Sequence, residues 1–210
     1  MQQIFNILSQ ALSIMLYPLF MPTYGMCLYM VAMRMRTPML PSVYIATSII
    51  GTFVLTTLIP IVLMWILLKR GTISSLHIHN ASERTTPYVY ALICFGFWCY
   101  FVGAVLKLPL IWLLVAIGAT LALFAVTIIN HWWKISAHLT AIGGLLGGIC
   151  SIALYYTTLP TMLIIAILIL SLLLMYARLH LNAHTQLQVV CGYLLGMICT
   201  FIPNLIVYHV

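Results

Sequence analysis

Residues 109–130 read PLIWLLVAIGATLALFAVTIIN, without one charged side chain. A helix over this stretch is roughly 30 Å long, the thickness of a bilayer's hydrocarbon core. In hydrocarbon a lone backbone segment satisfies its hydrogen bonds only as a helix. The same reading extends outward to apolar blocks at 4–33, 41–68, 88–106, 138–158, 160–177 and 187–209. Pro18, Pro22 and Gly25 interrupt the first block, which is expected to be irregular or partly interfacial over 1–39. No linker divides the chain. The expected fold is an all-α integral membrane bundle of six or seven spans, a single transmembrane domain with its helical core over 40–209.

Composition points the same way. The chain of 210 residues is 65% hydrophobic and 4% charged, with a mean hydropathy of +1.20. Soluble domains carry about 25% charged residues. Glu83 is the only acidic side chain, against eight Lys and Arg. One carboxylate excludes a two-carboxylate glycosidase, an aspartic dyad and an acid-rich magnesium site. No G-x-x-x-x-G-K-[ST] loop is present to cradle nucleotide phosphates. The cations are scattered between apolar blocks and form no stripe, so nucleic acid is not the expected partner. Anionic headgroups are. The six cysteines lie inside apolar runs with no C-x-x-C pair and read as small apolar side chains. MQQIFNILSQ at the start has no basic residue and is expected to be retained.

The polar segments are RMRTP (34–38), KRGTISSLHIHNASERTTP (69–87), KLP (107–109), NHWWKISAH (130–138) and ARLHLNAHTQLQ (177–188). Two spans separate 69–87 from 130–138, and two more separate 130–138 from 177–188. An even number returns the chain to the same side, so these three segments share one membrane face and form a composite polar site there. Counting every cation, the shared face carries five and the other three, which by the positive-inside rule makes it cytoplasmic. Setting Arg84, Lys134 and Arg178 aside as ligand-binding residues reverses the balance. The site then faces the periplasm of a bacterial inner membrane.

ARLHLNAHTQLQ resembles the third signature of the type 2 phosphatidic acid phosphatase superfamily, S-R-x5-H-x3-D, at Arg178 and His184. KISAH resembles the second, P-S-G-H, at Ser136 and His138. HIHNASERTTP resembles the first, K-x6-R-P, at Arg84, with His77 where Lys is expected and Thr85 where Pro is expected. The resemblance covers roughly residues 40–208 and identifies the chain as a divergent member. It implies a membrane lipid-phosphate phosphatase that hydrolyses a phosphomonoester or pyrophosphate through phosphohistidine, without metal or other cofactor. His184 would be the nucleophile and His138 the general acid, with Arg178, Arg84, Ser136, Lys134 and His77 around the phosphate. The physical logic is independent of the analogy: neutral imidazole attacks phosphorus near neutral pH, and guanidinium groups pair bidentately with phosphate oxygens.

One further departure matters. The family's Asp is Gln188 here. Four residues after His184 on a helix, its carbonyl oxygen can accept from the ring N–H. It carries no charge to stabilise imidazolium. Glu83 is the alternative orienting acid. The competing function is a weak or inactive relative that binds or moves anionic lipids. A third reading uses His180 and His184, four apart, as metal or haem ligands.

The plainer readings stand beside these. Lys69, Arg70, Arg34, Arg36, Lys107 and His209 read as interfacial anchors, and His77 and His79 as solvated loop residues. Lys134 beside Trp132 and Trp133 fits an aromatic belt equally well. Gly143, Gly144, Gly147 and Gly148 form two overlapping small-x-x-x-small pairs and read as a close helix contact.

Overall fold

A computed structural model describes residues 2–73, 85–155 and 161–208. The described chain is helical: α1 (Gln2–Met15), α2 (Met21–Arg36), α3 (Ser42–Phe53), α4 (Ile59–Lys69), α5 (Thr85–Tyr100), α6 (Leu110–Ile129), α7 (Ala137–Tyr155), α8 (Thr161–His180) and α9 (Gln186–Tyr208). A π-turn over Val54–Leu58 joins α3 to α4, and another over Phe101–Val105 extends α5. Seven helical stretches among the described residues are long and apolar enough to cross a membrane. The protein is a multi-pass membrane bundle, with Ile117, Phe124, Leu172 and many other large apolar side chains facing outward.

The first stretch is broken where the prolines predict. Tyr17, ahead of Pro18, is extended at φ −65° and ψ 138°, because proline crowds the residue before it out of the helical region. The last carbonyls of α1 still find donors. Leu12 O takes Leu16 N–H and Ile14 O takes Tyr17 N–H. Met15 O takes the Tyr24 hydroxyl, and Ser13 O lies 3.2 Å from His138 Nε2.

The core contact is α7 against α9, made by glycines on both sides. A side chain at Gly143 or Gly147 would collide with the α9 backbone at Tyr193 or Met197. One at Gly192 or Gly196 would collide with the α7 backbone at Ser136 or Thr140. The small-residue stripe thus packs within the chain. Thr200 Oγ1 donates to Gly144 O across the contact at 2.9 Å, and Asn204 Nδ2 donates to Ser151 Oγ at 3.2 Å. In hydrocarbon such bonds add about 0.6 kcal/mol each to helix association. Pro203 inside α9 withholds the N–H that would bond Cys199 O four residues earlier. Gly118 of α6 lies against that carbonyl.

Two sets of contacts fix the ends of the bundle. Tyr44 Oη donates to Leu106 O at 3.0 Å, which joins the start of α3 to the end of α5. At the opposite end of α6, the segment before α7 meets the α8–α9 turn, where His184 Nδ1 lies 3.2 Å from Lys134 O.

Candidate functional site

The turn that carries His184 is set by its neighbours. Asn182 has a left-handed φ of 50°. Asn182 N–H donates to Leu179 O, and Ala183 N–H donates to Arg178 O at 3.1 Å. This pair of bonds is the Schellman ending, which needs a residue tolerant of positive φ; asparagine is one of the few. Thr185 then opens α9 with a capping box. Gln188 N–H points to Thr185 Oγ1 at 3.5 Å, and Thr185 N–H donates to Gln188 Oε1 at 3.1 Å. His184 is held between a helix end and a helix start.

Its ring orientation follows. His184 Nδ1 lies 3.2 Å from Gln188 Oε1 and 3.2 Å from Lys134 O. A main-chain carbonyl can only accept. The Gln188 atom accepts from Thr185 N–H, so it too is an oxygen, and the amide cannot be flipped. Both neighbours of Nδ1 are acceptors. Nδ1 therefore carries the proton, and Nε2 holds the lone pair. Burial, and then the Arg178 guanidinium and the Lys134 ammonium, push the His184 imidazole down from 6.5 to about 4, against the opposing pull of Gln188 and Lys134 O. At neutral pH it is uncharged.

His138 sits in the first turn of α7. Its Nε2–H donates to Ser13 O at 3.2 Å, and Tyr17 meets its ring edge-on at 5.6 Å between centroids. The acceptor is a carbonyl near the C-terminal end of α1. The beginnings of α7 and α9 are tied directly, since Ser136 N–H donates to Gln188 O at 3.3 Å.

One cavity of about 730 Å³ is lined by Lys134, His138, Arg178 and His184 together. Pro87 and Tyr88 at the start of α5 line it as well, so the segments around Lys134 and His184 meet beside the start of α5. Below this end its walls are apolar, with Met26, Phe95, Trp112, Leu145 and Ile152 among them. A cationic mouth over an apolar interior is suited to an anionic amphiphile.

Ser136 stands apart from the cavity. It was expected among the phosphate ligands, but it is fully buried and absent from the cavity wall. Its main-chain carbonyl lies against Gly192 of α9, and its hydroxyl has no hydrogen-bond partner among the described residues. Arg84, Glu83 and His77 lie outside the described residues. His180 turns away from His184: its Nε2–H donates to Asn6 Oδ1 at 2.9 Å, and its ring stacks on Tyr176. Among the described residues no three His, Cys, Asp or Glu side chains group around a common point.

The contribution of α1 was not anticipated. Asn6, Ser9, Ser13 and Tyr17 recur at helical spacing in an otherwise apolar segment. Ser9 and Ser13 are buried while Ile4, Phe5, Ile7 and Leu8 face outward. That stripe was the available signal. No family model, curated protein or solved structure matches the chain.

Proposed function

We propose that this protein is a lipid-phosphate hydrolase that works through His184, with chemistry like that of the type 2 phosphatidic acid phosphatases. The observation that carries this reading is the fixed tautomer of His184. Its proton is held on Nδ1 by two oxygens, and its unprotonated Nε2 belongs to a ring on the wall of a cavity that Arg178 and Lys134 also line.

In the proposed reaction the Nε2 lone pair forms a bond to phosphorus as the P–O bond to the lipid breaks. Arg178 and Lys134 balance charge on the transferring group. His138, protonated on both nitrogens, keeps Nε2–H on Ser13 O and gives its Nδ1 proton to the departing oxygen. Water then attacks the phosphohistidine, returns a proton to His138 and leaves inorganic phosphate. A phosphomonoester yields an alcohol; a pyrophosphate yields the lipid monophosphate. Each turn consumes one water and restores both histidines. Divalent metal is not part of the scheme, because a chain with one carboxylate offers little to hold a hard cation.

Replacing an orienting carboxylate by an amide elsewhere costs about 10⁴ in turnover, through the wrong tautomer. Here Thr185 N–H fixes the amide so that oxygen faces the ring. The tautomer is preserved, and only the charge is missing.

The test is phosphate release from alkyl phosphates and pyrophosphates with chelator present. Wild type should turn over, and His184→Ala should lose about 10³-fold or more. Equal release from both would reject the reading. The neutral Gln188 favours one alternative, a lipid-binding protein without turnover. Headgroup-selective binding with no release from wild type would establish it.

A further inference from the structure

The cavity does not stop at the phosphate site. On α5 its wall runs from Tyr88 to Val102, on α6 from Val126 to Trp112, and on α7 from His138 to Ile152. Each run is about four helical turns, roughly 21 Å at 1.5 Å per residue. All three begin at the cationic end and descend together. Val102, Trp112 and Ile152, at the far ends of the three runs, are buried, so this depth lies inside the bundle and not on its lipid-facing surface.

We propose that this shaft draws the hydrocarbon chain of the phosphate-bearing lipid out of the bilayer and into the protein, and that its floor sets the chain length accepted. The proposal rests on the phosphatase reading for the headgroup and adds the location of the tail. With carbon–carbon bonds near 1.5 Å, a zigzag chain advances about 1.25 Å per carbon, so a 21 Å shaft takes roughly 16 carbons. Lys134 and Arg178 at the mouth select an anionic head. The largely apolar walls accept the chain by excluding water. Ala119, midway down α6, is a small residue on the wall. It leaves room that a larger side chain would fill.

The experiment uses full-length protein in nanodiscs, with Trp65, Trp132 and Trp133, none of them on the shaft wall, changed to Phe. Trp98 and Trp112, both on the shaft wall, then report occupancy. Hexadecyl phosphate brominated near its chain end should quench them strongly. Brominated phosphatidylcholine in the same discs should quench several-fold less. Ala119→Phe should remove the excess quenching and lower the ratio of C16 to C8 phosphate turnover at least tenfold. Ile152→Ala should shift the preferred length upward, an independent readout should Ala119→Phe fail to fold. Absent quenching, or equal quenching by the neutral lipid, would overturn the shaft whether or not phosphate is released. Headgroup-selective quenching with no phosphate release would keep the shaft and discard the phosphatase.

Discussion

His184, just ahead of α9, and Gln188, in its first turn, meet across the helix start, where the side-chain oxygen of Gln188 does two jobs: it accepts Thr185 N–H at 3.1 Å and faces His184 Nδ1 at 3.2 Å. Helix capping and the orientation of the His184 ring are therefore joined in one amide. Gln188→Leu should remove both, lowering turnover about 100-fold and stability by about 1 kcal/mol. Gln188→Glu keeps the capping box and adds a charge beside the ring. Its turnover should rise above wild type. A kcat for Gln188→Glu well below wild type would show that the carbonyl is not standing in for a carboxylate.

The pH profile carries a signed prediction. His184 is held down at about 4 by burial, then by Arg178 and Lys134. Its neutral form is favoured in the folded protein, so its contribution to stability is complete above 6.5. That contribution declines as pH falls from 6.5 to about 4. In the proposed reaction the acid limb of kcat/KM should accordingly lie near pH 4. Arg178→Gln removes a neighbouring cation and should move that limb upward, whatever it does to the absolute rate. A limb that stays in place would sever the link between Arg178 and His184.

Asn182 positions His184 through its left-handed backbone. Asn182→Gly should preserve turnover. Asn182→Val should cost about 1–2 kcal/mol and depress kcat, because the turn ending α8 is strained. Thermal melts in detergent, paired with initial rates, separate the two effects.

The glycine contact can be tested against an internal control. Gly143→Leu places a side chain into the backbone of α9 at Tyr193 and should cost about 3 kcal/mol or prevent folding. Gly96, on α5, has open space at the same position. Gly96→Ala should be neutral, or stabilising by up to about 1 kcal/mol.

Much of this architecture is readable in the sequence, for a physical reason. Hydrocarbon demands long uncharged helices, so segments such as 109–130 declare themselves. Once spans are counted, parity alone brings the segments around Lys134 and His184 to one face. The pairing of His184 with Gln188 is suggested by their spacing of four, although it is made at the cap of α9, with His184 just outside the helix. What escaped was set by contacts between distant helices. Ser136 shares its motif with His138, yet its main-chain carbonyl lies against Gly192 of α9. Ser13 reaches His138 through its main-chain oxygen, which no side-chain pattern records. The shaft is space left between α5, α6 and α7, and space has no residue type.

The most direct test of the central claim is to trap the phosphoryl group. Protein mixed with alkyl [³²P]phosphate and quenched in alkali, where phosphohistidine survives, should carry label on the peptide containing His184. His184→Ala should carry none. Label on another residue, or rapid phosphate release by wild type with no labelled protein at any quench time, would contradict the account.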